Sequence, residues 1–370
     1  MRFSLKKRLQ RSLTPWRFVF CFILIYSATS FFVARKLSEE NGSIPAEEQV
    51  ENQPIEKTMT PNLSAKPEPD QPIPKFRAHA VEVGTLHTDS YRCYLKDDNG
   101  DFLSVWHDIP LFAEKEENNQ LFNMVVEVPR YGNAQLEVSH TEPMNPISHS
   151  RHADGSLRYA PNIFPFKGYP FNYGSFPQTW TDPTQKSANQ PAPGDGDLVD
   201  AIEVSQRVRK TGEIVKVKVL GAMALVVDNR LDWKIVCIDA SDPVSTKLKE
   251  VYHLEFFMPG VIRAIHEFFY LYNIPRGGGP TAMAFKGAYR KVDVVNQILQ
   301  VSHSLWRNVL VRKQPGIPES TVIESRRPEA ACKASRSTWQ SVVESQPPKT
   351  IPAHVPEEVN SYYYFKTPTR

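Results

Sequence analysis

The pattern of hydrophobic and polar residues divides this chain of 370 residues into four parts. An apolar segment near the start is followed by residues 37–79, which are rich in proline and glutamate. Short alternations of apolar and polar residues then continue to about residue 312, and serine and proline dominate again afterwards. We predict a basic, membrane-directed segment over 1–36, a disordered linker over 37–79, a folded domain over 80–312 and a disordered tail over 313–370.

Five segments of the predicted domain are short apolar runs or alternations of apolar and polar residues, both of which are typical of β-strands. They cover residues 121–128, 135–138, 213–220, 223–227 and 234–238. Residues 97–100 read Asp-Asp-Asn-Gly, a sequence that favours a tight hairpin turn. The first part of the domain is therefore predicted to be rich in sheet.

Two later segments, 260–272 and 292–310, repeat their apolar residues with the spacing of an α-helix. The buried faces are predicted to consist of Val261, Ile265, Phe268 and Tyr272 in the first helix and of Val295, Ile298, Leu299, Ser302 and Trp306 in the second. Because strands come first and helices follow, the order of elements predicts an α+β domain with a small barrel.

The apolar run near the N-terminus has the features of a membrane-directed segment. Its 17 uncharged residues, 18–34, are close to the shortest helix that spans a bilayer. The basic residues before it are Arg2, Lys6, Lys7, Arg8, Arg11 and Arg17. Such an excess of positive charge would hold the N-terminus on the cytosolic side. We predict a membrane anchor through residues 16–34, with a cleaved signal peptide and a mitochondrial presequence as alternatives, so a secretory or mitochondrial destination stays open.

Charge and cysteine content argue against two other classes of protein. The net charge of +3 is too small for the dense basic face that nucleic-acid binding requires, so no nucleic-acid partner is expected. The four cysteines are Cys21, Cys93, Cys237 and Cys332. None has the CxxC spacing of a metal site, and we predict buried or unpaired thiols rather than a disulfide framework.

The sharpest local feature is the sequence Gly-Asp-Gly-Asp-Leu-Val-Asp at residues 194–200. The carboxylates of Asp195, Asp197 and Asp200 fall within six residues, and they would repel one another unless a cation lies between them. Hard divalent cations with oxygen ligands are the natural partners of such a cluster. On this pattern alone, a solvated acidic loop is the more common explanation.

Further acids and phosphate-binding groups are spread over the predicted strands. The acids at strand ends are Glu127, Glu137, Asp228 and Asp232, and the groups suited to phosphate are Arg158, Lys234, Tyr169, Tyr173 and Tyr272. Arginine and lysine supply charged donors, and tyrosine supplies a neutral hydroxyl. Each tyrosine by itself is more typical of packing, but the whole collection indicates metal-assisted hydrolysis of a phosphate compound.

Residues 104–310 resemble the eukaryotic family I soluble inorganic diphosphatases. The shared sequences are Trp-His-Asp-Ile-Pro-Leu at 106–111, Phe-Asn-Met-Val-Val-Glu-Val-Pro-Arg at 122–130, Asn-Tyr-Gly-Ser-Phe-Pro-Gln-Thr-Trp at 172–180, Gly-Asp-Gly-Asp at 194–197, Leu-Asp-Trp-Lys at 231–234 and Met-Pro-Gly at 258–260. The resemblance implies an OB-like, five-stranded β-barrel with flanking helices, Mg²⁺-dependent hydrolysis of inorganic diphosphate, and a homodimer. It also adds the cytoplasm as an alternative location, as for most of the family.

Carried over residue by residue, the resemblance implies a role for each candidate. The implied metal ligands are Asp195, Asp200 and Asp232 for the tighter metal, with Asp200 bridging to a second one, and Asp228 and Glu137 for the metals that arrive with substrate. Asp197 would be the general base for the water between the metals, and Glu127 would be a supporting acid. The implied phosphate contacts are Arg158, Lys234, Tyr173 and Tyr272, and Tyr169 would be the proton donor.

The chain departs from the family pattern at four places. Gln135 and Asn273 stand where the family has lysines that contact phosphate, Leu198 replaces a proline or glutamate, and the loop 228–232 is one residue shorter. Two lost charge-assisted bonds would weaken substrate binding by about 10²- to 10⁴-fold. Since every implied metal ligand is present, we expect a slow but real diphosphatase. The alternatives are an inactive scaffold or binding protein and an enzyme for another phosphoanhydride, such as tripolyphosphate.

Overall fold

The computed structural model describes residues 76–113, 120–184, 186 and 190–365. The predicted membrane anchor and all but the last few residues of the predicted linker lie outside these ranges. Within them, no helix is long and apolar enough to cross a membrane.

The strands of the described part are β1 (Ala78–Val83), β2 (Arg92–Asp97), β3 (Phe102–Leu103), β4 (Phe122–Val128), β5 (Leu136–Val138), β6 (Ile147–His149), β7 (Asn162–Ile163), β8 (Asn172–Phe176), β9 (Val199–Glu203), β10 (Ile214–Val227), β11 (Arg230–Asp239), β12 (Ala282–Met283), β13 (Glu324–Ser325), β14 (Cys332–Lys333) and β15 (Tyr362–Tyr363). The helices are α1 (Leu254–Phe257), α2 (Val261–Leu271), α3 (Val292–Leu310), α4 (Arg336–Glu344) and α5 (Glu357–Asn360). This mixture confirms the predicted α+β class.

Five of these strands close into a barrel in the order β4-β8-β9-β11-β10, with β10 pairing back onto β4. The pair β9 and β11 is parallel, and the other four pairs are antiparallel. A closed sheet leaves no unpaired edge among its members. The five-stranded, OB-like barrel expected from the resemblance is confirmed, and β1, β2, β3, β5 and β6 form a second sheet beside it.

The two segments predicted at 213–220 and 223–227 are one strand, β10. Its pairing with β11 shifts register between Val219 and Gly221, and such a bulge bends the strand within the barrel. A Cβ at Gly221 would lie 2.8 Å from the Val251 side chain and 2.9 Å from the Arg290 carbonyl. Glycine is therefore required where the strand bends against its neighbours.

The alternation of β4 distributes its side chains between two hydrophobic clusters. Met124 and Val126 belong to one cluster, and Val125 and Val128 belong to the other. Helix α3 covers both, because its buried residues extend from Val295 to Leu310. Its predicted buried face is confirmed in full, while in α2 the buried residues are Ile265, Phe268 and Phe269.

The prediction of a disordered tail from residue 313 is wrong for residues 313–365, which carry three short strands and two helices. Trp339 of α4 is buried in a cluster with Val83, Tyr94 and Phe102, and Arg326 forms ion pairs with aspartates of the β2–β3 turn. Composition predicted disorder because the segment has too few apolar residues to build a core of its own. The segment is ordered because it packs on a surface that the domain already provides.

Candidate active site

The centre of the site is an ammonium group held by the ends of three barrel strands. The parallel register of β9 and β11 sets Lys234 opposite Asp200, and β8 contributes Tyr173. Lys234 Nζ contacts an Asp200 carboxylate oxygen, lies 2.6 Å from Asp232 Oδ2 and donates to the Tyr173 hydroxyl at 2.8 Å. The strands thus bring together two implied metal ligands and two implied phosphate contacts.

The acidic turn before β9 adds the next two carboxylates. Asp195 Oδ1 accepts hydrogen bonds from Thr181 Oγ1 at 2.6 Å and from the Asp197 amide at 3.1 Å. A Cβ at Gly194 would lie 2.7 Å from the Thr181 side chain, so glycine is needed for this close approach. Asp197 Oδ1 accepts from the Leu198 amide at 2.7 Å and lies 2.9 Å from His140 Nε2.

Burial and crowding raise the pKa of two of these acids and leave a third with a lowered pKa. Burial, with Asp232 and Asp197 nearby, raises the pKa of Asp195 to about 7. Burial also raises the pKa of Asp200 well above its usual range, against the opposing effect of Lys234. For Asp197, the neighbouring His140 outweighs burial and lowers the pKa. The carboxylates therefore carry an electrostatic cost that a cation among them would relieve.

A tyrosine chain forms the other side of the site. The Tyr272 hydroxyl donates to Gln135 Oε1 at 2.9 Å, so the Tyr169 hydroxyl, 3.3 Å from Tyr272, is the donor in the next bond. Burial raises the pKa of Tyr169 well above its usual range, so its hydroxyl is protonated and able to donate at neutral pH. The rings of Tyr169 and Tyr173 lie 4.9 Å apart, which joins this chain to Lys234.

Three further residues that the resemblance implies, Glu127, Glu137 and Arg158, complete the candidate site. Glu127 is buried, accepts a hydrogen bond from Ser175 Oγ at 2.8 Å, and has its pKa raised by burial and by Asp200. Glu137 is open to solvent on β5, and its pKa is raised by partial desolvation and by Asp197. Arg158 has a buried Nε with no hydrogen-bond partner in the described ranges. This N–H group is available to donate to an anion.

Asp228 stands apart from the other implied ligands. It forms with Asn229 the two-residue turn between β10 and β11, and both residues have positive φ angles, +48° and +58°. Its side chain is exposed and makes no hydrogen bond or ion pair with any residue that the structure describes. The structure does not bring Asp228 into contact with the acidic cluster, and its assignment as a ligand stays a prediction.

The donor set suits a hard divalent cation in its chemistry, because the aspartates provide oxygen ligands whose mutual repulsion such an ion would offset. Within the described ranges, however, no group of three or more His, Cys, Asp or Glu side chains is arranged so that it could hold a metal ion. The ammonium of Lys234 lies between Asp200 and Asp232 and is the cation that balances them here.

Known proteins are similar to this chain in both sequence and fold. The family model for inorganic pyrophosphatase matches residues 124–307. An inorganic pyrophosphatase of Drosophila melanogaster is 41% identical over 251 residues, which are 67% of this chain and 73% of that protein. One from Mus musculus is 34% identical over 278 residues, 75% of this chain and 94% of that protein. This chain belongs to the inorganic pyrophosphatase family.

Solved pyrophosphatase structures agree with this membership. Inorganic pyrophosphatase from Schistosoma japonicum superimposes with a TM-score of 0.71 at 30% identity and covers 78% of this chain and 100% of its own. An N-terminally truncated vacuolar soluble pyrophosphatase of Trypanosoma cruzi, solved in complex with PPi, gives a TM-score of 0.58 at 32% identity, over 65% of this chain and 94% of its own. The family is generally metal-dependent.

Within this pyrophosphatase fold, the two residues expected to stand at lysine positions of the family both form hydrogen bonds. Gln135 accepts from Tyr272, as described above, while the Asn273 amide donates to Thr281 Oγ1 at 3.2 Å. Gln135 therefore belongs to the site through the tyrosine chain. Asn273 makes its hydrogen bond within its own loop.

Sequence analysis missed two residues that hold the acids in place. Thr181 binds Asp195, and it directly follows the Trp180 that ends one of the shared sequences. His140 pairs with Asp197 and stacks on Trp106 at 4.5 Å, and it follows Glu137 by three residues. Proximity to a shared sequence was the available signal for both residues, and it is weak because it says nothing of side-chain direction.

Proposed function

We propose that this protein hydrolyses inorganic pyrophosphate to two phosphates with Mg²⁺ as its cofactor. One observation carries the proposal: the barrel strands bring Asp200, Asp232, Lys234 and Tyr173 into one buried cluster, in a chain of the inorganic pyrophosphatase family. Carboxylates suit the metal, and the ammonium and the hydroxyl suit the phosphates.

The metal would be held by Asp195, Asp200 and Asp232, with Glu137 and Asp228 as ligands for further ions. When bound, Mg²⁺ would neutralise phosphate charge and make water a stronger acid. Asp197 would accept the water's proton at Oδ2, since its Oδ1 is occupied by the Leu198 amide and by His140. Glu127 would support this cluster from the buried side.

The substrate phosphates would contact the cationic and hydroxyl groups of the cleft. Arg158 offers its unpartnered Nε, and Lys234 and Tyr173 offer donors at the centre. Tyr272 would bind a phosphate oxygen, and Tyr169 would supply a proton to the leaving phosphate through the tyrosine chain. The protein's part is therefore positioning and charge compensation rather than covalent catalysis.

Phosphate release from pyrophosphate with and without Mg²⁺ tests the proposal. We expect Mg²⁺-dependent turnover that Asp197→Asn abolishes, because an amide keeps the shape of the side chain but cannot accept the proton. The variant should still bind the metal, which calorimetry would measure. A parent that releases no phosphate with Mg²⁺ would remove the proposal and leave an inactive scaffold, whereas equal turnover by Asp197→Asn would overturn only the assignment of the base.

We further propose that turnover is slow because Gln135 and Asn273 supply no positive charge. Their hydrogen bonds to Tyr272 and Thr281 support this, since neither amide replaces a charged donor to phosphate. A kcat/KM below that of relatives with lysines at both positions, measured in one buffer, is the expected result. Equal kcat/KM values would contradict it.

Two proposals concern the whole chain: a homodimer, and anchoring to a membrane through residues 16–34. Deleting residues 1–36 should release the protein from membranes with unchanged specific activity, because the polar linker separates the apolar run from the domain. Fractionation of tagged full-length and truncated proteins is the measurement, and a cytoplasmic full-length protein is the contrary outcome. Sedimentation of the truncated form would report the dimer.

A further inference from the structure

An arginine lies over the tyrosine side of the candidate active site. Arg276 ends the short 3-10 turn Ile274–Arg276 that follows α2. Its guanidinium carbon is 4.7 Å from the centre of the Tyr272 ring, and one of its Nη atoms donates to the carbonyl of Tyr159. Since Tyr159 follows Arg158, Arg276 links the tyrosine chain to the segment that carries the unpartnered guanidinium Nε.

The positive charge of Arg276 is not neutralised by a neighbour. In the described part of the chain it makes no ion pair and no hydrogen bond other than the one to Tyr159, and it is exposed. Arg209 provides a contrast, because it is buried and paired with Glu213 and Asp239. Arg276 thus keeps guanidinium donors and a full charge available for an anion.

Its charge acts on the site itself. Burial and Tyr272 raise the pKa of Tyr169, and Arg276 opposes that rise. The other described side chains that bond or stack on the Tyr272 side chain are Tyr169, Phe268 and Gln135, which are all neutral. A phosphate at this end of the cleft would therefore find its cation in Arg276.

We propose that Arg276 binds a terminal phosphate of pyrophosphate and supplies part of the positive charge that Gln135 and Asn273 lack. The identity of the anion rests on the proposed function. The Arg276 side chain is exposed. The guanidinium therefore has room to turn from the Tyr159 carbonyl toward the phosphate.

Two substitutions in the full-length protein separate this role from that of a structural link. Arg276→Gln keeps a donor for the Tyr159 carbonyl but removes the charge, whereas Arg276→Lys keeps the charge and removes the planar guanidinium. With Mg²⁺-pyrophosphate, Arg276→Gln should raise KM by about 10- to 100-fold, as expected for one charge-assisted bond. Arg276→Lys should retain most of the affinity, and kcat should change less than KM in both.

Arg263→Gln is the matched control. Arg263 lies on α2, is exposed, and pairs with Glu267 at 3.8 Å, so its loss removes one cation of the same type without touching the cleft. Its KM should equal that of the parent. A thermal unfolding midpoint equal to that of the parent would show that each variant is folded.

Calorimetric binding of methylenediphosphonate, a non-hydrolysable analogue, provides a second readout. Weaker binding by Arg276→Gln, with Arg276→Lys near the parent, would support the inference even if the parent hydrolysed no pyrophosphate, in which case only the proposed function would fail. Unchanged KM and analogue affinity in Arg276→Gln would overturn the inference while leaving the proposed function intact. Loss in Arg276→Lys with retention in Arg276→Gln would likewise overturn it, because a structural link would then explain the result.

Discussion

Lys234 is the residue on which the charge balance of the site depends. Burial lowers the pKa of Lys234, but the carboxylates of Asp200 and Asp232 raise it by more, so Lys234 is charged at neutral pH. A buried ammonium without such partners would cost several kcal/mol, and removing it would leave Asp200 and Asp232 to repel each other. A metal bound by Asp200 and Asp232 would free the Lys234 ammonium to contact phosphate. Lys234 can therefore pair with the aspartates here and still be the phosphate contact that the resemblance implies.

Restoring lysines at the two neutral positions should strengthen substrate binding. Gln135→Lys should lower KM more than Asn273→Lys, because Gln135 touches Tyr272 whereas Asn273 is bonded to Thr281. Together the two changes should be less than additive, since both act on one anion. Steady-state kinetics provides the measurement, with Ser341→Lys on the exposed surface of α4 as a charge control. An unchanged KM in the double variant would mean that the bound substrate places no phosphate near residues 135 and 273.

His107 should make the fold sensitive to acid. Its Nδ1 accepts from Trp306 Nε1 at 2.9 Å, and burial lowers its pKa to about 3 from the usual 6.5. Because the unfolded chain takes up the proton first, this contribution to stability is complete above pH 6.5 and is lost as pH falls toward 3. At pH 5 the loss should be about 2 kcal/mol.

Denaturant unfolding of the parent and of His107→Asn at pH 7 and pH 5 measures this effect. Asparagine can still accept from Trp306 but does not titrate, so the variant should lose about 2 kcal/mol less than the parent between the two pH values. His149 and His303 have lowered pKa values for the same reason and act in both proteins. Parallel pH profiles would show that His107 is not the acid-sensitive group.

At the scale of elements, the segment after α3 shows how docking replaces intrinsic folding propensity. Trp339 is buried, and its Nε1 donates to Glu324 Oε2 at 2.9 Å, which joins α4 to β13. The Val322 amide donates to the His140 carbonyl at 2.8 Å, so this segment also reaches the residue that pairs with Asp197. Removing the main apolar contact should therefore release the segment locally.

Trp339→Ala should free the C-terminal segment without unfolding the barrel. Loss of a buried tryptophan costs about 3–5 kcal/mol, which exceeds what a short docked segment can offset. Limited trypsin digestion should cut after Arg326 and Lys333 much faster than in the parent, while the barrel resists. Trp339→Phe, which keeps most of the apolar area, is the control. Equal cleavage rates in Trp339→Ala and the parent would favour the tail predicted from composition.

At the scale of the molecule, the folded barrel brings together acids that repel one another. Mg²⁺ should therefore stabilise the folded protein. The cation would bind the folded cluster and not the unfolded chain, so the gain is about 2.7 kcal/mol at 100 times Kd. Thermal unfolding with Mg²⁺ or with chelator is the measurement. A variant with Asp195→Asn and Asp200→Asn should be more stable without metal and should lose the Mg²⁺ shift. An equal shift in that variant would point to a cation effect elsewhere.

The sequence determined the elements whose periodicity is strong and uninterrupted. The 292–310 helix has its predicted bounds, and the segments predicted as strands all lie in β4, β5, β10 or β11, because local alternation reports directly which face is buried. It also determined which acids could form the site, since their spacing and the shared sequences are local features. It could not show that two of the predicted strands are one, because a bulge interrupts the alternation without ending the strand.

Only the tertiary structure decided what those residues contact. The parallel pairing of β9 with β11 places Lys234 between two aspartates, and no local pattern reports which strands pair. The same holds for His140 on Asp197, for Arg276 over Tyr272 and for the docked C-terminal segment, each of which depends on residues distant in sequence. Local sequence encodes burial and backbone preference, whereas the direction and partner of a polar side chain depend on the packing of the whole chain.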